Sequence, residues 1–157
     1  AQHPAISRVF SAELLRAAPL GNDLDHLHGP AWRDELAAQP AAQAYAARIA
    51  EIDRSDPVLL VAHAYVRYLG DLSGGQALRK IVRRSLELEP EAGTRFYDFG
   101  SPQQVSAMAQ RFRSGLDQID ADGVAREAIV SEATDAFRRH GELFEQLDRA
   151  RLAPIAA

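Results

Sequence analysis

Arg67, Asp71 and Ser73 surround three glycines, Gly70, Gly74 and Gly75, inside a stretch that otherwise reads as helix. A mid-helix glycine costs about 1 kcal/mol relative to alanine, so three of them need a reason. Gly70 and Gly74 share a helix face. A face without side chains lets something approach the backbone closely, and it is a place where helices kink. Tight packing against another helix is one reason for such a face. The polar flank points to another. Arg67 and Asp71 have i,i+4 spacing and can pair, which suits a flat ligand with a hydrogen-bonded pocket above it. Read in isolation, the pair is a solvated bridge worth a few tenths of a kcal/mol.

Other chemistries are excluded. Leu72-Ser73-Gly74-Gly75-Gln76 spells the signature of ATP-binding-cassette ATPases, but that motif presents a helix N-terminus to phosphate. Here it falls within a helical pattern, and no G-x-x-x-x-G-K-[ST] loop accompanies it. The chain has no cysteine, which removes thiol nucleophiles, zinc-thiolate sites and disulfides. Lys80 is the only lysine, so Schiff-base chemistry has one candidate. With 18 basic and 22 acidic residues, the net charge of −4 argues against general nucleic-acid binding. No apolar run is long enough to span a bilayer, and no leader is evident at the start; a cytoplasmic location is expected. The 157 residues are 46% apolar, enough for one domain over 1–157 with a sizeable core.

The elements that must hold these residues are helical. Alternating strands and hairpin turns are missing, and alanine, leucine, glutamate and arginine dominate. The first helix is expected from Ala12 to about Ala17 with Ser11 as its N-cap, and a second ends near His28 at Gly29-Pro30. Trp32 and Leu36 suggest a short helix. Pro40 opens another to about Asp53, buried along Tyr45, Ile49 and Ile52. Asp56-Pro57 starts a long helix to about Leu86, with Val58, Ala62, Tyr65, Leu69 and Leu72 as its stripe. Ser101-Pro102-Gln103-Gln104 is a capping box opening a helix to about Ile119. The last helix spans about Val124 to Leu152, with Ile129, Ala133, Ala136, His140, Phe144 and Leu147 on the core-facing side.

Leu60-Val61-Ala62-His63-Ala64-Tyr65-Val66-Arg67-Tyr68-Leu69-Gly70, followed by Asp71-Leu72-Ser73-Gly74-Gly75-Gln76, closely resembles the signature of the haem (heme) oxygenases. Gly29-Pro30-x-Trp32, Phe96-Tyr97-x-Phe99 and the final helix through Ala133-x-Asp135-Ala136-Phe137 and Leu143-Phe144-Glu145-Gln146-Leu147 extend the resemblance along the chain. It implies an all-α domain in which heme, both substrate and cofactor, lies against a distal helix kinked at its glycines. It also implies use of dioxygen and of electrons from a ferredoxin or flavin-reductase type of donor. The products would be biliverdin, carbon monoxide and ferrous iron. A heme-binding module that sequesters heme without opening the ring is the second reading, and a non-heme helical scaffold the third.

By the same resemblance, Gly70 and Gly74 would let the backbone sit against the porphyrin and bound oxygen. Asp71 would orient the water that delivers a proton to that oxygen, and Arg67 would hold Asp71. Tyr65, Leu78 and Phe137 would contact the porphyrin, and Arg113 would face a propionate. Ala109 replaces a family lysine near Arg113, which weakens that anchor. His63 would be a structural, hydrogen-bonded histidine and His140 a satisfied polar residue; Phe144 is expected in the core. The basic run Arg79, Lys80, Arg83, Arg84 reads as a solvated face, with donor docking as a second use. None of the five histidines matches the family's proximal ligand, which lies in a helix before the region matching Ala1. An N-terminally incomplete chain is therefore expected, with an open apolar groove beside Gly74. A natural truncation or a substitute ligand are the other readings.

Overall fold

The computed structural model describes residues 3–90 and 92–152. Among the described residues every regular element is helical. Proline opens α1 (Pro4–Val9), α4 (Pro40–Ser55) and α7 (Pro102–Asp117), where its missing N–H would have had no partner. Helix α1 is not announced by sequence pattern, because six residues are too few to show a period. Its cap is local instead: His3 Nδ1 accepts from the Ala5 N–H at 3.2 Å. Ser11 caps only a 3-10 turn, Ala12–Leu14. Helix α2 (Ala17–Leu27) ends before Gly29, whose φ of +106° turns the chain into α3 (Trp32–Glu35). The lone tryptophan, Trp32, donates its indole N–H to Asp25 Oδ1 at 2.8 Å and lies under the Arg33 guanidinium.

The long helix expected from Pro57 is built from four pieces. A 3-10 turn (Pro57–Leu59) leads into α5 (Leu60–Ala64), a π-helical turn (Tyr65–Leu69) and α6 (Gly70–Ser85). The Asp56 side chain makes no capping bond. The departure from α geometry thus comes just before the glycines, with Gly70 opening α6. A π turn inserts one residue into the α ladder and re-aims every side chain after it. At Ser101 the capping box is present in full: its hydroxyl accepts from the Gln104 N–H, and the Gln104 side chain accepts from the Ser101 N–H.

The described chain forms two units, one of residues 38–66 and 121–152, the other of residues 3–37 and 67–120. In the first, α4 and α5 pack on α8 (Gly123–Leu152) around Ile52, Val61, Ala62 and Ala136. On α8, Glu132 and Ala136 are buried, and Arg139, Leu143 and Gln146 continue the line as half-buried residues. Polar residues occupy part of that line, so the apolar pattern points elsewhere: Phe144 and Leu147, expected in the core, are exposed, as is Ile49 on α4. In the second unit, α1 and α6 pack on α7 around Val9, Leu72, Met108 and Phe112. Gly115 is where α1 crosses α7, and a Cβ there would fall on the Arg8 carbonyl.

Candidate functional site

The π turn and the start of α6 place Arg67 and Asp71 side by side. Arg67 Nε is 3.0 Å from Asp71 Oδ2, and the Asp71 carboxylate is buried. The other side of the Arg67 guanidinium rests on the Phe96 ring, 4.9 Å from its centroid. Phe96 lies in the 3-10 turn Arg95–Tyr97, whose N–H groups at Arg95 and Phe96 donate to the buried Asp23 carboxylate at 2.8 and 2.7 Å. Arg16 lies over the Phe99 ring at 4.1 Å and donates to the Asp98 carbonyl at 2.8 Å. Burial pushes the Arg16 guanidinium down from its ordinary pKa, and the charges of Asp71 and Asp98 pull it up. Arg79, expected on a solvated face, is instead largely buried: it donates to Thr94 Oγ1 at 3.3 Å and pairs with Asp98 at 3.2 Å.

The glycines divide into two kinds. A Cβ at Gly75 would touch the Tyr97 ring at 3.7 Å, so this glycine serves packing. A Cβ at Gly70 or Gly74 would meet no described atom within 4 Å. Tight helix packing therefore does not explain Gly70 and Gly74; their face is open. It continues along α6 into Leu78 and Ile81, exposed to 47% and 59%, an apolar strip next to a buried carboxylate. Arg113 is exposed on α7.

Tyr65 and Phe137 belong to the other unit and are exposed to 42% and 60%. That unit also carries a buried polar cluster. The neutral His63 ring donates from Nε2 to Glu132 Oε1 at 3.0 Å, and its Nδ1 accepts from the Tyr45 hydroxyl at 2.9 Å. Arg48 grips the same carboxylate with two bonds, Nε to Oε1 at 3.1 Å and Nη2 to Oε2 at 2.6 Å. These bonds, with that from His63, hold the Glu132 pKa below the usual carboxylate range against the cost of burial. Burial lowers the His63 pKa despite Glu132, consistent with the neutral tautomer. His63 is thus hydrogen-bonded through both ring nitrogens, as expected, and His140 Nδ1 donates to the Ala136 carbonyl at 2.7 Å. Glu132 and Arg48 escaped sequence reading, although each interrupts an apolar stripe: Glu132 between Ile129 and Ala136, Arg48 between Tyr45 and Ile52.

Both shifts in this cluster give the same pH dependence. The unfolded chain protonates His63 below about 6.5 and Glu132 below about 4.5, while the fold holds out to lower pH at each. Stability is therefore full above about pH 6.5 and falls as pH drops, first through His63 and then through Glu132. Between about pH 7 and about pH 5, urea unfolding followed by circular dichroism should show this decline, and His63→Gln should flatten it. An unchanged slope in His63→Gln would assign the decline to other groups.

A family model described as heme oxygenase matches residues 1–146 of this chain. The heme oxygenase of Pyropia yezoensis is 43% identical over 153 residues, covering 98% of this chain and 64% of that protein. Human heme oxygenase 1 is 40% identical over 139 residues, 88% of this chain and 48% of its own. The crystal structure of Synechocystis heme oxygenase-2 in complex with heme and NO superposes with a TM-score of 0.89 at 36% identity, over 96% of this chain and 64% of that one. The chain thus spans less than two thirds of the length of these relatives. No helix among the described residues is long and apolar enough to cross a membrane. The signature through Arg67, Asp71 and the glycines, the all-helical fold and the match over nearly the whole length together place this chain in the heme oxygenase family.

Proposed function

We propose that the chain serves the oxidative opening of heme to biliverdin, carbon monoxide and ferrous iron, and that α6 presents the distal face to the porphyrin. The observation that carries this reading is the pairing of an open, side-chain-free face at Gly70 and Gly74 with the buried Asp71 carboxylate beside it. Heme, as substrate, supplies the iron that takes up dioxygen and the ring carbon that is oxidised. The chain's own residues bind, orient and move protons. Gly70 and Gly74 admit the flat ring, and Leu78 provides apolar contact. Tyr65 and Phe137 are proposed as further apolar contacts. Asp71 would accept a hydrogen bond from one O–H of a water and so direct that water's other proton toward the open face at Gly70 and Gly74. Arg67 fixes the Asp71 rotamer. Arg113 suits a propionate, for which a guanidinium offers paired donors. Electrons come from a donor of ferredoxin or flavin-reductase type, for which Lys80 and Arg84 form an exposed basic face. The absence of cysteine suits a cytoplasmic setting.

Hemin with a reductant under air should give a verdoheme and then a biliverdin spectrum. A Soret band that persists under turnover would instead mark a heme-sequestering module. Gly74→Leu separates binding from folding. Its side chain meets no described neighbour at Cβ, so the apoprotein should keep its stability or gain up to about 1 kcal/mol. Hemin affinity should fall by more than about tenfold, a loss above about 1.4 kcal/mol. Equal hemin titrations of the two proteins would reject the glycine face as the binding surface.

A further inference from the structure

Asp71 is useful to the proposed reaction only if its carboxylate keeps one orientation, and the pair with Arg67 does not ensure this alone. An arginine on a helix surface has many rotamers, and the Arg67 side chain is 41% exposed. The second contact of its guanidinium is the Phe96 ring. That ring is itself fixed, because the backbone of its turn is tied to Asp23, a carboxylate buried in α2 that accepts from both Arg95 and Phe96. Phe99, three residues on, carries the second guanidinium whose charge reaches Asp71, that of Arg16. The segment Phe96–Phe99 thus provides an aromatic seat for each arginine.

We propose that Phe96 is a positioning residue: its ring, anchored through Asp23, seats the Arg67 guanidinium so that Arg67 Nε holds the Asp71 carboxylate in one orientation. The inference rests on the role given to Asp71 above. A cation over an aromatic face within about 6 Å is attracted by the ring quadrupole, more strongly where water is partly excluded. Leucine or methionine at this position supplies apolar contact but no quadrupole, whereas tryptophan supplies a stronger one.

The test uses the ligand-free chain and a catalytic assay in parallel. In the ligand-free protein, Phe96→Leu should speed hydrogen exchange at the Arg67 Nε–H, read by NMR, about fivefold, and Phe96→Trp should bring it back to within about twofold of wild type. Arg16, seated on Phe99, is the internal control and should stay within about twofold in both variants, whereas general loosening would move both arginines. Phe96→Met replaces Phe96→Leu should the latter fail to fold. With hemin, Phe96→Leu should lower kcat about fivefold with KM unchanged, and tryptophan should restore it. Unchanged Arg67 exchange, equal loosening of Arg16, or loss of kcat that tryptophan does not restore would each overturn the inference. A wild-type protein that opens no ring would overturn the proposed function, while the ligand-free arm would still decide whether Phe96 seats Arg67.

Discussion

Glu132→Leu should destabilise the protein by about 3–5 kcal/mol, the cost typical of removing one partner from a buried ion pair. Leucine fills much of the glutamate's volume, so the loss arises from what is left behind rather than from a cavity. Arg48 would lose a carboxylate held by two bonds, and the His63 Nε2–H, nearly fully buried, would lose its acceptor. Glu132→Gln should cost less, because the amide oxygen still accepts from His63. The double variant Glu132→Leu with His63→Phe should recover part of the loss, since it removes the stranded donor as well. Urea unfolding at neutral pH, followed by circular dichroism, measures all three. A change below about 1 kcal/mol in Glu132→Leu would mean that the cluster is already hydrated and contributes little.

Gly115→Ala is the second large effect, and its cause is steric. The added methyl would overlap the carbonyl of Arg8, and backbone cannot swing aside as the tip of a flexible side chain does. Overpacking of this kind typically costs 1–3 kcal/mol, here offset by about 1 kcal/mol from the better helix propensity of alanine. A net loss of up to about 2 kcal/mol is expected, with α1 released from α7. Amide hydrogen exchange would show the release directly: residues 5–9 should lose protection while most of α7 keeps it. Protection unchanged in α1 would show that the crossing can widen without cost.

The helices that were legible in sequence carry their own boundary chemistry. Ser101 and Gln104 satisfy each other's backbone, and this needs nothing from the rest of the chain. The 30 residues of α8 show a helical period long enough to read. The π turn is not legible in the same way, because five residues with one extra in the ladder give nearly the apolar spacing of an α-helix. The Arg67–Asp71 pair follows from i,i+4 spacing alone. The long-range partners do not. Arg48 finds Glu132 across 84 positions, and Asp23 accepts from the turn at Arg95 across 72. Only tertiary packing decides such pairings. Their trace in the sequence is a charge set within an apolar stripe, and this signal exposes the buried group without naming its partner.

The single indole, Trp32, lies in the unit of residues 3–37 and 67–120 and is tethered to Asp25. Fluorescence excited selectively at the indole, beyond the tyrosine absorption of Tyr45 and Tyr65 in the other unit, is therefore a one-sided gauge that times the melting of that unit. Far-ultraviolet dichroism sums over the helices of both. The gap between the two midpoints measures how independently the halves come apart, with no label introduced.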